Sequence, residues 1–213
     1  MKKNLLALAF LVGLLTCCKS EDAPIKPVKP TDPGSINKEY MSRAETTFAN
    51  IFKYYWSDKV RMMFGSYPNT LGTPQEPSSP DYDSHAYLWG LGSVVSAFNA
   101  IVQNTDNVDF RMTYESRLKE TLLKYYNTTK EPMCFGCFVN PHDQRLYDDA
   151  IWVGIDLADL YSKTKDSWYL DYAKSVWNFV LSGKDDELGG GVYWDENAKD
   201  SKNTCSNAPA VVL

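Results

Sequence analysis

Histidine is scarce in this sequence, because its 213 residues include only two, His85 and His142. A zinc site or a histidine-based catalytic centre usually needs more ligands and bases than this pair supplies. Basic residues are not in excess either, since 22 Lys and Arg stand against 27 Asp and Glu and give a net charge of −5. Nucleic-acid-binding domains carry a basic surface, so this balance excludes that function class. We therefore expect neither a metal site nor a nucleic-acid partner.

The apolar run at the start of the chain is too short for a transmembrane helix, which needs about 20 residues. Residues 5–15 are apolar and follow two lysines, and this order is typical of a secretory signal peptide. The signal ends at Cys17 and Cys18, which resemble a bacterial lipobox. We favour Cys18 as the lipidated residue, since Leu15 then occupies the usual aliphatic position. Cys17 is the alternative, and an ordinary signal peptide with incidental cysteines also stays open.

Residues 19–35 are predicted to form an extended tether, because recurring prolines prevent a packed core. The four prolines are Pro24, Pro27, Pro30 and Pro33. Glu21 and Asp22 resemble the surface-export signal of Bacteroidetes lipoproteins, although a solvated acidic linker is an equal interpretation. Residues 1–18 and 19–35 together predict a lipoprotein, anchored to a membrane by its lipid, at the outer membrane or cell surface of a Gram-negative bacterium.

Residues 36–213 are predicted to form one helical domain, because apolar side chains recur there at helical spacing. The predicted helices span residues 36–56, 84–102, 108–126, 148–162 and 167–181. The second and fourth are apolar on most sides, whereas the others have one apolar face. Such alternation is typical of an all-α toroid with inner and outer helices, although a compact bundle also gives mixed exposure. Residues 191–194 predict a short hairpin, the single strand signal in the sequence.

A sixth helix is predicted near the end, where Ser206 and Asn207 suit an N-cap and Pro209 suits the first turn. The apolar residues 210–213 would then begin an inner helix. Because a helix that begins in this way and ends at once is incomplete, we expect the chain to be C-terminally truncated.

Two adjacent carboxylates, Asp148 and Asp149, lie at the start of the fourth predicted helix. Acidic residues are favoured there for structural reasons alone, since they meet free backbone N–H groups and the positive end of the helix dipole. The chemical alternative is acetal cleavage, in which one carboxyl group attacks or positions water and the other delivers a proton. Two close negative charges would raise the pKa of one group, which favours its role as the acid.

Four segments of the sequence carry a resemblance to a known family. They are HAYLW at residues 85–89, YDDAIWVGID at 147–156, LGGGVYW at 188–194 and KNTCSNAP at 202–209. The second is similar to a double-aspartate helix, and the third to a glycine-rich stretch that follows it in the family. In order, spacing and helical context, the four segments resemble glycoside hydrolase family 76, the endo-α-1,6-mannanases.

This resemblance implies an (α/α)6 barrel, of which residues 36–213 supply about the first three helical hairpins. It also implies endo-acting, retaining cleavage of α-1,6-mannosidic bonds in mannan polysaccharide or oligosaccharide, with no metal or organic cofactor. Asp148 is expected to be the nucleophile and Asp149 the general acid/base. Further substrate contacts are expected from aromatic rings and amides, namely Trp194, Tyr193, Trp89, Asn203 and Asn207. Packing is the structural alternative for the rings, and helix capping is the alternative for Asn207.

Two other functions stay open from the sequence. The protein could be a non-catalytic glycan-binding surface lipoprotein or an inactive truncated fragment, since only about half of a toroid is present. An epimerase or a uronyl hydrolase on a similar fold usually depends on histidines or other acids, and histidines are few here.

The cysteines after the signal give no metal motif, because zinc would need further ligands. Cys134 and Cys137 form a CxxC pair that is either a local disulfide or two free thiols, and Cys205 has no obvious partner.

Overall fold

The computed structural model describes residues 38–68, 85–139 and 144–213, which belong to one compact unit, Ile36–Leu213. The predicted signal peptide, the lipidation cysteines and the Pro-rich tether lie outside the described residues, as does His142. Within the described ranges, no helix combines the length and the apolar character needed to cross a membrane.

Six α-helices follow one another along the described part of the chain. They are α1 Lys38–Tyr55, α2 Leu88–Asn104, α3 Val108–Tyr125, α4 Tyr147–Thr164, α5 Ser167–Ser182 and α6 Thr204–Ala210, and a 3-10 turn spans Glu187–Gly189. The first five agree with the predicted helices to within a few residues. The largest difference is at the start of α2, which begins at Leu88 and not at residue 84. Before it, His85 forms a β-bridge with Phe64, and Tyr87 is extended, with φ −65° and ψ 159°.

The start of α6 differs from the sequence prediction. The helix begins at Thr204, so Ser206 and Asn207 lie inside its first turn and neither is the N-cap. The N-cap residue is Asn203, whose side chain makes no capping hydrogen bond. Ser206 is fully buried, and the amide of Asn207 binds a neighbouring loop instead.

Helix α4 is the centre of the described domain, because it packs against α5, α2 and α6. The helices α2, α4 and α6 therefore form the inner layer, and α1, α3 and α5 follow the outer pattern, as the sequence predicts for an α/α toroid. Although α2 is apolar on most sides, it is not buried all round. Its exposed positions include Trp89, Gly90, Ser93, Ala100 and Gln103.

Close packing of α4 on α5 depends on Gly154. A Cβ atom at this position would lie 2.7 Å from Val176 Cγ1, which is nearer than real Cβ contacts come. A larger residue would force the two helices apart and open the tightly packed core.

A buried polar contact joins the inner helices α2 and α4. Ser96 Oγ donates to Asp156 Oδ2, and Asn99 Nδ2 donates to Asp156 Oδ1 at 2.9 Å. Burial raises the pKa of Asp156, while these hydrogen bonds oppose that change. Because both carboxylate oxygens have donors, the buried group is accommodated.

Within the described ranges two short antiparallel ribbons connect the helices, and the sequence did not predict them. In one, β1 Trp56–Ser57 pairs with β2 Met62–Met63; in the other, β3 Tyr126–Asn127 pairs with β4 Cys134–Phe135. At the strand signal of residues 191–194 the structure has an isolated antiparallel bridge, from Val192 to Lys184, and the next residue, Asp195, bridges to Leu146.

Candidate active site

Asp148 and Asp149 lie together in the first turn of α4, and each residue is only 8% exposed. The backbone N–H groups and the dipole at this end of a helix favour anionic groups. Leu146, the N-cap residue, makes no side-chain capping bond, and the backbone N–H of Tyr147 donates to Trp194 O at 3.0 Å. The helix start therefore places the two carboxylates, and the segment that contains Trp194 fixes the helix start.

The carboxylate of Asp148 receives a hydrogen bond from the indole of Trp194, whose Nε1 lies 3.2 Å from Asp148 Oδ2. The other oxygen, Oδ1, is buried and has no hydrogen-bond partner within the described ranges. Cys205 lies next to this carboxylate, and desolvation together with Asp148 raises the pKa of its thiol. One oxygen of Asp148 is thus held by the indole donor, and the other is buried without one.

Asp149 has a different environment from its neighbour. Burial, and then the charge of Asp148, raise its pKa to about 6. The nearby thiol of Cys137 partly offsets the increase. Burial and the nearby Asp149 also raise the pKa of Cys137, so its thiol stays protonated at neutral pH. The pair is therefore asymmetric, and Asp149 is the group that binds a proton more readily.

A pocket of about 490 Å³ opens beside Asp149. Its wall includes the side chains of Trp89, Tyr87 and His85 from the start of α2, and Gln144 from the segment before α4. Trp89 is 55% exposed, so the face of its ring is available to a ligand. Aromatic faces combined with a carboxyl group are suited to a sugar ring, which has apolar faces and polar edges.

Arg145 lies just before the start of α4, and its side chain is fully buried. Its guanidinium makes a two-pronged ion pair with Glu196, with Nε 2.8 Å from Oε2, and donates to Pro132 O at 2.6 Å. The backbone N–H of Glu196 returns a bond of 3.2 Å to Arg145 O. The chain is therefore held at Arg145, two residues before Tyr147, by an ion pair and by a backbone hydrogen bond.

The glycine-rich segment is held against α6 by Asn207. Its Oδ1 accepts from Val192 N at 2.8 Å, and its Nδ2 donates to Val192 O at 2.9 Å. Gly191 has φ of 92°, and a Cβ atom there would lie 2.3 Å from Asn207 Oδ1. Only glycine allows this approach, so the sequence of the segment follows from its contact with Asn207.

Tyr193 does not lie where a sugar could stack on it. Its ring is 3% exposed, and the ammonium of Lys202 lies 4.5 Å from the ring centre. The hydroxyl donates to Asp185 Oδ1 at 3.1 Å. Tyr193 is therefore a packed core residue, in place of the sugar contact expected from the sequence.

The predicted site residues therefore divide into two groups. Trp194 and Trp89 lie with the aspartate pair, the first through its indole N–H and the second through the shared pocket. Asn203 is exposed at the start of α6, and its expected sugar contact stays a prediction. Asn207 has both its amide atoms bound to the backbone, so its contacts here are structural.

The CxxC pair consists of two free, buried thiols and not a disulfide. Cys134 lies in β4 and is fully buried, and burial raises its pKa to about 12. In the described portion of the chain, no three His, Cys, Asp or Glu side chains are grouped so as to hold a metal ion.

The sequence did not predict Cys137 and Cys205 as neighbours of the aspartate pair. The signal available for Cys205 was its position inside the 202–209 segment, one of the four that carried the family resemblance. For Cys137 the CxxC spacing pointed towards Cys134, whereas its thiol faces Asp149. Such contacts depend on the tertiary fold, which places segments far apart in sequence around one helix end.

Comparison with known proteins gives a consistent result. The model of glycosyl hydrolase family 76 matches residues 39–213. A family 76 glycoside hydrolase from a bovine Bacteroides thetaiotaomicron strain has a similar structure, with 29% identity, a TM-score of 0.69, and 81% of this chain aligned to 37% of that one. No curated protein matches the sequence significantly.

Two further solved structures are similar. A family 76 mannosidase from Bacteroides thetaiotaomicron has 25% identity and a TM-score of 0.67, with coverage of 82% of this chain and 47% of that one. An α-1,6-mannanase from a Salegentibacter species has 19% identity and a TM-score of 0.60, with coverage of 81% and 43%. This chain thus spans less than half the length of each relative. The likeness in structure confirms the predicted α/α toroid fold.

Proposed function

Because the chain belongs to glycosyl hydrolase family 76, we propose that the protein hydrolyses mannan and that it cleaves internal α-1,6-mannosidic bonds with retention of configuration. The observation that carries this proposal is the asymmetric pair of adjacent buried carboxylates, Asp148 and Asp149, the second of which lines a pocket. Since the chain spans 37% to 47% of its solved relatives, the activity is proposed for the whole protein.

The environments of the two carboxylates support different roles for them. Asp148 accepts an indole N–H through one carboxylate oxygen, and its other oxygen has no hydrogen-bond donor within the described ranges. This suits a nucleophile. Asp149 has a pKa raised to about 6, chiefly by burial. A carboxyl group that titrates near neutral pH suits a general acid that becomes a general base in the next step.

The proposed reaction has two steps. First, a carboxylate oxygen of Asp148 attacks the anomeric carbon while the Asp149 proton passes to the glycosidic oxygen, so the C–O bond to the leaving sugar breaks and a mannosyl ester forms. Next, Asp149 accepts a proton from water, whose oxygen attacks the same carbon and releases Asp148. Two inversions at one carbon give net retention.

The names of relatives support the substrate class. One solved relative is a mannosidase of family 76, and another, known from two structures, is described as an α-1,6-mannanase. One of these structures is an inactive variant in which two consecutive aspartates are replaced by alanine, in complex with α-1,6-mannotetrose. The adjacency of Asp148 and Asp149 is similar to that arrangement, which supports an α-1,6-mannan chain as the substrate here.

The test is the release of oligosaccharides from linear α-1,6-mannan by the protein without its predicted signal. The Asp148→Asn and Asp149→Asn variants should each release none, whereas the matched surface variant Asp171→Asn should behave as the parent. Proton NMR of the first products should show the α anomer if configuration is retained. Mannans with α-1,2 or α-1,3 bonds serve as linkage controls. A folded parent that releases nothing from any mannan would overturn the proposal and leave glycan binding as the function.

We further propose that the protein works at the outer membrane or cell surface, anchored by a lipid on Cys18. The basis is the sequence alone, since these residues lie outside the described ranges. Labelling cells with an alkyne fatty acid should mark the parent and the Cys17→Ala variant but not the Cys18→Ala variant. Equal labelling of the two variants, or no labelling of the parent, would contradict this anchor.

A further inference from the structure

We propose that Lys202 is a positioning residue for Trp194, whose indole N–H donates to Asp148. Its ammonium group holds the loop at residues 185–187 against the segment that carries this tryptophan, and so fixes the direction of the indole. The effect of Lys202 on cleavage rests on the proposed function. The position of the indole does not, because these contacts belong to the folded protein whether or not mannan is its substrate.

The ammonium group of Lys202 uses all its donors on this loop. It donates to the carbonyl oxygen of Asp185 at 2.9 Å, to Asp185 Oδ1 at 2.6 Å and to the carbonyl oxygen of Glu187 at 2.7 Å. An ammonium group has three N–H donors, so these three acceptors satisfy it. The side chain of Lys202 is 4% exposed, and a buried cation needs such partners. The contact is therefore part of the packed structure and not a surface ion pair.

Asp185 connects Lys202 to the residue before Trp194. Its Oδ1 atom also accepts from the hydroxyl of Tyr193 at 3.1 Å, and the ring of Tyr193 lies 4.5 Å from the Lys202 ammonium. The backbone N–H of Tyr193 donates to Gly183 O at 3.2 Å. Tyr193 is thus held by its hydroxyl, its ring and its backbone.

The backbone of Trp194 is fixed next to Lys202 as well. Its N–H donates to Ser201 O at 3.1 Å, and Ser201 directly precedes Lys202. Its indole Nε1 then lies 3.2 Å from Asp148 Oδ2, which is at the long end of the usual range for such bonds. A bond of this length is lost after a small displacement of the ring, so removal of the Lys202 ammonium should weaken it.

Lys199 offers a matched control for Lys202. Its ammonium also lies near the ring of Tyr193, at 5.5 Å. The residue is exposed, however, and in the described part of the chain it makes no hydrogen bond to the loop at residues 185–187. Lys202→Met and Lys199→Met therefore remove the same group from the same ring, and only the first removes bonds to the loop.

The first test is a double-mutant cycle with Trp194. Lys202→Met should reduce the rate of mannan release by about 10-fold, because a small misplacement of a positioned group is costly, and Lys199→Met should leave the rate unchanged. In the Trp194→Phe background, Lys202→Met should change the rate by less than about 2-fold, since a residue that acts through the indole has no effect once that donor is gone. Equal losses in the two backgrounds would overturn the positioning role.

The second test does not depend on mannan. It follows the indole N–H signal of Trp194 by nitrogen-15 NMR, identified by its loss in Trp194→Phe, and Asp148→Ala gives the position of this signal without the acceptor. In Lys202→Met the signal should move towards that position, and in Lys199→Met it should stay as in the parent. If Lys202→Met does not fold, Tyr193→Phe, which removes only a hydroxyl of the same network, should give a smaller shift in the same direction. A signal at the parent position in the folded variant would contradict the role of Lys202.

The two tests separate this role from the proposed function. If the parent releases nothing from any mannan but the indole signal moves as expected, the proposed function fails and the positioning role stands. If mannan is cleaved and the signal does not move in Lys202→Met, the positioning role fails and the proposed function stands.

Discussion

Trp194 donates its indole N–H to Asp148 Oδ2 at 3.2 Å, across 46 residues of sequence. The same residue accepts the backbone N–H of Tyr147 through its carbonyl, at 3.0 Å. One tryptophan therefore fixes both the first turn of α4 and the orientation of a carboxylate within that turn. The ring of Trp194, for which the sequence predicts a sugar contact, therefore has a structural role as well.

Trp194→Phe should keep an aromatic ring, although a smaller one, and remove the donor to Asp148. A hydrogen bond to a charged group contributes roughly 1.5–3 kcal/mol, so we expect the rate of mannan release to fall by about 10- to 100-fold. The free energy of unfolding should change much less. Initial rates and chemical denaturation of the same preparations measure the two effects.

Trp177→Phe is the matched control for that change, because Trp177 is a half-exposed tryptophan on α5. Its replacement should leave the rate of release as in the parent. Equal losses in the two variants would show that the indole N–H of Trp194 has no special role.

The helices were the part of the fold that could be predicted from sequence. Their apolar stripes are local patterns, so residues such as Phe48 and Phe52 in α1 identify a buried face without knowledge of the partner helix. The short ribbons could not be predicted, because each strand has two residues and no alternation to detect. The bridge between Leu146 and Asp195 depends on packing of distant segments and leaves no local signal.

The aspartate pair was predictable because its two members are adjacent and begin a helix. The sequence also indicated that one of the two has a raised pKa. Their individual environments could not be predicted, since these come from distant residues, Trp194 at Asp148 and Cys137 at Asp149. Tyr193 illustrates the same limit. The sequence shows an aromatic residue next to Trp194, but the two adjacent side chains make different contacts. The ring of Trp194 lies by Asp148, and the ring of Tyr193 lies by Lys202.

Asp149→Asn should stabilise the protein at neutral pH while it abolishes the proposed catalysis. The folded pKa of about 6 lies above the unfolded value of about 3.9. The folded state thus binds the proton more tightly, and the stability contributed by Asp149 is present below about pH 4 and lost as the pH rises through 6. The neutral amide avoids this loss.

We therefore expect Asp149→Asn to raise the free energy of unfolding by about 1–3 kcal/mol at pH 7.5, and by much less at pH 4. Denaturant titrations at both pH values measure the difference, and Asp171→Asn on the surface of α5 is the control. A stabilisation that is equal at the two pH values would show that the effect is not electrostatic.

Gly191→Ala should destabilise the protein more than Gly189→Ala does. Both glycines have positive φ, near 90°, so the backbone strain of each alanine variant costs about 1–2 kcal/mol. At Gly191 the added Cβ would also lie 2.3 Å from Asn207 Oδ1, whereas at Gly189 nothing lies within 4 Å. The difference between the two variants in denaturant midpoint isolates the contact with Asn207, and Asn207→Ala should reduce it.

Arg145 and Glu196 should show strong coupling in a double-mutant cycle. Arg145→Met leaves the Glu196 carboxylate with Lys130, at 3.1 Å, as its remaining ion-pair partner, and loss of one partner of a buried pair costs up to about 3–5 kcal/mol. The double variant Arg145→Met, Glu196→Gln should recover part of this loss, because the group that lost its guanidinium is then neutral. The pair Lys119 and Asp166, which is more exposed, is the control and should couple by less than about 1 kcal/mol. If Arg145 and Glu196 couple no more than that pair, the ion pair does not hold the start of α4, and the position of Asp148 must depend on Trp194 alone.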